Sequence, residues 1–201
     1  MKKIVISTLA VLVACPAFAR GVGESSWQLF GYDPYIGLRG GFSYSNLNYR
    51  FADKKDTMDD WVWQGRAALG LEICDTVRSE IEWSIFSKAK DSASFNTADT
   101  VNVDTKMQTL LWNSYMEFGD WNVVRPFAGV GVGVAFPNIK RYGDNIASKS
   151  FAEMRFSAMG SLGVSFDMEY FAVDLAARYN YIDVASGLHN FGADLGIRFM
   201  F

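Results

Sequence analysis

Val77-Arg78-Ser79-Glu80-Ile81-Glu82-Trp83-Ser84-Ile85-Phe86-Ser87 alternates with a period of two. Val77, Ile81, Trp83 and Ile85 fall on one side, and Arg78, Glu80, Glu82 and Ser84 on the other. Successive side chains of a β-strand point to opposite faces, whereas a helix brings every third or fourth residue together. The stretch therefore reads as a strand with one apolar and one charged face.

The same pattern recurs on both sides of it. Between Tyr35 and Ser45, Ile36, Leu38, Phe42 and Tyr44 oppose Gly37, Arg39, Gly41, Ser43 and Ser45. Trp61 to Cys74 sets Trp61, Trp63, Ala67, Leu69, Leu71 and Ile73 against Gln64, Arg66 and Glu72. Near Met107 to Phe118, Leu110, Trp112, Met116 and Phe118 face away from Thr109, Asn113, Tyr115 and Glu117, with Leu111 as an exception. Arg125 to Phe136 alternates valines with Gly129, Gly131, Gly133 and Ala135. Three more segments follow, around Arg155 to Phe166, Phe171 to Tyr181 and Asn190 to Phe201. Their polar faces carry Arg155, Asp174, Arg178, Asp194 and Arg198.

Eight segments of about ten residues suit strands that cross a bilayer at a tilt. Short connections at 74–76, 119–122 and 167–169 alternate with longer polar ones near 48–60, 88–104, 137–152 and 183–189. That spacing predicts an all-β, eight-stranded antiparallel up-and-down transmembrane barrel, with tight turns on the periplasmic side and long loops outside. Aromatic residues gather at both ends. Tyr44, Trp61, Trp63, Phe136, Tyr179 and Tyr181 lie near the long connections, and Phe118, Trp121, Phe166, Phe171, Phe199 and Phe201 near the short ones. Two such belts are expected where hydrocarbon meets headgroups.

A soluble lipocalin-like barrel would reverse the faces. Here the apolar face is large and aromatic and the other is rich in glycine and serine. A barrel of eight strands has interior room only for side chains of modest total volume, so bulky-out and small-in is the arrangement that fits. The interior then collects Arg39, Arg66, Arg78, Arg155, Arg178 and Arg198 with Glu72, Glu80, Glu82, Glu117, Asp174 and Asp194. Buried charges of both signs must pair, because an unpaired one costs several kcal/mol. An ion-pair network plugging the lumen is the expectation.

The N-terminus carries Lys2 and Lys3, an apolar run from Ile4 to Ala14, and Ala17-Phe18-Ala19. This reads as an export signal over residues 1–19, since an apolar stretch of about eleven residues is too short for a membrane-spanning helix. Leu12-Val13-Ala14-Cys15 also resembles a lipobox, which Pro16 makes less attractive. Residues 20–33, with Trp27 and Phe30, are read as a short periplasmic segment, and 34–201 as the barrel. Removal of the signal leaves 17 basic residues (19 − 2) against 22 acidic ones, changing the net charge from −3 to −5. Such mild acidity with no basic cluster excludes a nucleic-acid partner. Cys74 would be the one cysteine left, so no internal disulfide is expected.

The chain resembles the small outer-membrane β-barrel families, including OmpA/OmpX-like and bacterial surface-antigen barrels. Trp112-Asn113-Ser114-Tyr115-Met116-Glu117-Phe118 and Arg125-Pro126-Phe127-Ala128-Gly129-Val130-Gly131-Val132-Gly133 carry the likeness. Leu195, Ile197, Phe199 and Phe201 resemble the terminal signal read by the barrel assembly machinery. The resemblance implies the outer membrane of a Gram-negative bacterium, with lipid and lipopolysaccharide as neighbours. It does not imply one activity, since such families include adhesins, membrane stabilisers and resistance factors.

Chemistry finds little support in the residues. Gly129 to Val134 lacks the following helix that a nucleotide loop needs. Asp183, Ser186 and His189 are the residue types of a serine hydrolase, and some outer-membrane barrels modify lipid A, but the stretch does not resemble those enzymes. One histidine and no cysteine cluster leave no metal site, and no cofactor is expected. Asp53, Asp56, Asp59 and Asp60, mixed with Lys54 and Lys55, read as a solvated loop. The expectation is a non-enzymatic barrel whose loops meet an unidentified extracellular ligand or whose scaffold supports the envelope. A narrow channel is the alternative.

Overall fold

The computed structural model describes residues 32–51, 54–96, 99–119, 123–143, 146–168, 170–184 and 187–201, with side chains described outside 47–59, 88–105 and 138–152. The signal and lipobox readings, the segment with Trp27 and Phe30, Trp121 and Ser186 lie outside these residues.

The chain runs through β1 (Asp33–Phe51), β2 (Lys54–Cys74), β3 (Val77–Asn96), β4 (Asp99–Glu117), β5 (Val124–Gly143), β6 (Ile146–Ala152), β7 (Arg155–Asp167), β8 (Phe171–Ile182) and β9 (Leu188–Met200). Every pairing between them is antiparallel. β6 pairs with the far end of β5 and β7 with its near end, so β6 and β7 share one place in the wall. β1 pairs with β9 and closes an eight-stranded barrel.

The ladder fixes the barrel's geometry. From Gly37 the pairings lead through Ala68, Glu82, Leu111, Gly133, Ser157, Ile182 and Leu188 back to β1 at Leu47. This is a stagger of ten residues (47 − 37) around eight strands. With ordinary strand spacings it corresponds to a tilt of about 40°. Ten residues at that tilt, as from Trp61 to Leu71, rise roughly 25 Å, the height of the apolar band of a membrane barrel.

Bulky side chains point outward, as the alternation predicts. Phe42 (67 % exposed), Trp63 (58 %) and Leu195 (59 %) face away from the lumen, while Glu82 and Asn113 are fully buried within it. The inward glycines sit beneath large neighbours. A Cβ on Gly129 would lie 2.3 Å from the Tyr115 ring, and one on Gly70 would lie 2.2 Å from the Tyr35 ring.

The long connections differ from expectation. Pairing continues to Phe51↔Lys54, Asn96↔Asp99 and Gly143↔Ile146, so the polar stretches near 48–60, 88–104 and 137–152 are extensions of the strands as ribbons. The sequence concealed this because both faces of a ribbon beyond the apolar band meet water, and the period of two fades while the backbone ladder continues. At the fourth connection β8 ends at Ile182 and β9 begins at Leu188, leaving five residues between them, including Gly187 at φ +72°. That left-handed conformation suits glycine.

Candidate functional site

The lumen is stratified, and the order can be read along each strand from the ribbon end. The inward positions run Val62, Gln64, Arg66 on β2 and Phe86, Ser84, Glu82 on β3. They run Ile182, Asn180, Arg178 on β8 and, with Gly192 intervening, Leu188, Asn190, Asp194 on β9. An apolar layer thus lies over an amide and hydroxyl layer, which lies over charges. Val62, Phe86, Met107, Ala135, Ile182 and Leu188 pack together as one buried cluster contributed by six strands, with Val184 against it.

Below this cap lie five buried arginines, Arg39, Arg66, Arg78, Arg178 and Arg198, and five buried carboxylates, Glu80, Glu82, Glu117, Asp174 and Asp194. Glu82 accepts from Arg178 at 2.5 and 2.9 Å across the lumen, and from Arg39 at 3.0 Å. Glu80 accepts from Arg39 at 2.5 and 2.8 Å, from the Tyr35 and Tyr115 hydroxyls at 2.9 and 3.0 Å, and from Asn113 Nδ2 at 3.3 Å. Asp194 takes Arg66 and also Gln64 Nε2 at 3.0 Å. The guanidinium of Arg78 lies 4.5 Å from the Tyr115 ring centre and 4.8 Å from that of Phe127, a cation–π stack that supports it where water is excluded.

Nearer the short turns, Asp174 joins Arg78 and Arg198, each at 3.1 Å. Arg198 also reaches Glu72 at 3.1 Å and donates to the Ser165 hydroxyl at 2.7 Å. Arg125 meets Asp167 at 3.0 Å and Glu117 at 3.4 Å at the open end. A cavity of about 10 Å³ remains beside Arg39, Arg78, Ser161, Asp174 and Arg178, the scale of a single water.

The structure therefore brings together eleven of the twelve charged residues assigned to the interior. Arg155 stands apart. It caps the inward row of β7 at the rim, is 42 % exposed at its side chain, and pairs with Glu153 rather than with the lumen. Alternation identifies the face a residue occupies but not its height, and β7 ends there. Tyr35, Arg125 and Asp167 join the network without having been singled out. Their inward parity was the available signal. Leu195, Ile197, Phe199 and Phe201 lie on the outward surface.

On the outward side of the ribbon end, the Tyr179 hydroxyl and His189 Nδ1 share a hydrogen bond of 2.6 Å. The Tyr181 ring packs against the same imidazole, with centres 5.4 Å apart. A triad would need that nitrogen for a carboxylate. Tyr44 and Trp61 make an edge-to-face pair beside them, with centres 5.7 Å apart.

Residues 5–200 match the family model described as the outer membrane protein beta-barrel domain. Among solved structures the chain is similar to Neisserial surface protein A (NspA), with a TM-score of 0.61 at 14 % identity, covering 84 % of this chain and 97 % of that one. It is also similar to the N-terminal barrel of Pseudomonas aeruginosa OprF, at 19 % identity and TM-score 0.49, over 84 % and 97 % of the two chains. Pseudomonas aeruginosa OprG gives 14 % identity and TM-score 0.48, over 84 % and 96 %. No curated protein sequence matches. The family match covers nearly the whole chain, and the likeness to NspA shows the same fold. The chain belongs to the outer-membrane β-barrel domain family and resides in the outer membrane of a Gram-negative bacterium.

Proposed function

We propose that this chain is a non-enzymatic, plugged barrel that holds its surface ribbons on a rigid scaffold for contact with extracellular ligands and supports the envelope. The stratified lumen carries this reading. Five buried arginines and five buried carboxylates neutralise one another beneath an apolar cap, so that among the described residues the lumen is filled by paired side chains. Function on such a scaffold belongs to the segments that project from it. The outward row Leu195, Ile197, Phe199 and Phe201 serves the assembly machinery, residues 1–19 are removed on export, and residues 20–33 stay on the periplasmic side.

The test separates scaffold from surface. Cells lacking or overproducing the protein should show unchanged lipid A mass spectra. A variant with the β3–β4 ribbon shortened should still insert and resist detergent until heated, while losing the surface phenotype of the full protein. Altered lipid A masses would replace this reading with an enzymatic one.

A further inference from the structure

Between the apolar cap and the ion-pair lattice, three adjoining strands carry polar atoms that meet no protein partner. Among the described residues these are Ser43 Oγ on β1, Gln64 Oε1, Arg66 Nε and Arg66 Nη2 on β2, and Asn190 Oδ1 and Nδ2 on β9. All four residues are more than nine-tenths buried. A buried donor or acceptor left unsatisfied costs its full desolvation, so six such atoms in one layer call for a ligand.

The ladder places them side by side. Ser43 pairs with Gly192 and with Val62, and Gly41, the next inward position below it, pairs with Asp194 and with Gln64. Gly41 and Gly192 leave the lumen wall without side chains between Ser43, Asp194 and Asn190. A Cβ on Gly41 would overlap Asp194 Oδ1, so the carboxylate occupies the space that this glycine leaves. There Asp194 accepts from Gln64 Nε2 at 3.0 Å and from Arg66 Nη1. One end of each of these two side chains is anchored on the same carboxylate, and the other end is turned to the layer above. Glu82 lies 3.9 Å from Arg66 Nε, beyond hydrogen-bond reach. Arg78, whose Nε and Nη2 also make no hydrogen bond, differs in having Glu117 at 3.3 Å and the Tyr115 and Phe127 rings against its guanidinium.

The mixture of groups selects the ligand. Donors and acceptors stand together, and the charge of Arg66 is already met by Asp194. An anion would face Asp194, Gln64 Oε1 and Asn190 Oδ1, whereas a cation would face Arg66. Water donates and accepts, carries no charge and makes about three hydrogen bonds when buried, so about two molecules satisfy the set. Room lies alongside. The cavity of about 10 Å³ is bordered by Arg178, which pairs with Gly192, and by Asp194.

We propose that Ser43, Gln64, Arg66 and Asn190 form an internal water site, which holds ordered water beneath the apolar cap and joins the amide layer to the lattice. This rests on the plugged-barrel reading, since a closed cap is what keeps such water in place. The full-length protein is crystallised, with and without a bromide soak, and water-to-amide magnetisation transfer is followed by NMR in nanodiscs. The expected result is water density within hydrogen-bond distance of Asn190 and Arg66, unchanged by bromide, and transfer from long-lived water to the Asn190 side-chain amide. A Ser43→Val, Gln64→Met double variant that keeps its heat-dependent gel mobility should lose that transfer. Asn190 bonded directly to Ser43 or Gln64 with no water between them, bromide density beside Arg66, or transfer unchanged in the double variant would each overturn the proposal. A closed lumen without water at this layer removes this site alone. Water running unbroken through the Val62–Leu188 cap would remove the plugged reading with it.

Discussion

At its ribbon end the lumen is filled by Val62, Phe86, Met107, Ile182 and Leu188, and at mid-height by a lattice centred on Glu80, Glu82, Asp174 and Arg198. Both regions are buried and both draw on most of the strands, yet they are held by different physics. Apolar filling depends on volume and tolerates exchange of one shape for another of similar size. Ionic filling depends on each charge meeting an opposite charge, because the desolvation cost of each is offset only by well-placed partners. The cap should therefore be forgiving and the lattice unforgiving.

Glu80→Ala should have the largest effect. It removes the shared acceptor of Tyr35, Tyr115 and Asn113 and the bidentate partner of Arg39, which keeps only Glu82 at 3.0 Å and Asp174 at 3.7 Å, and a loss of about 3–5 kcal/mol is expected from breaking a buried pair. A lower denaturant midpoint and a lower temperature for the gel-mobility shift would record it. Arg198→Lys keeps the charge but cannot serve Glu72, Ser165 and Asp174 together, so about 1–3 kcal/mol should be lost by the same measurement. Met107→Leu in the cap should cost less than about 1.5 kcal/mol. If it costs as much as Arg198→Lys, the contrast between the two layers fails. Arg155→Ala, at the exposed rim, should change stability by about 0.5 kcal/mol or less. A large effect there would mean that the rim arginine belongs to the lattice after all.

The wall was legible before the structure, because a period of two survives wherever one face meets lipid and the other a crowded interior. Leu111 looked like an exception on the polar face and is one of the buried residues packed with Tyr115, Phe127 and Met159. The cap was not legible. Each of six strands contributes a single apolar residue to it at an inward position, such as Phe86 after Ser84 or Ile182 after Asn180, and only closure of the ring brings them together. The lattice was legible in its members and opaque in its pairings, since Arg178 and Glu82 meet across the lumen from strands 96 residues apart.

The central claim is that the lumen is closed by its own side chains, and ion conduction through single purified barrels in a planar bilayer tests it most directly. The account predicts a membrane that stays at its leak level across both polarities, in wild type and in Met107→Leu alike. A steady ohmic conductance from the wild-type protein, rising with salt concentration, would contradict it.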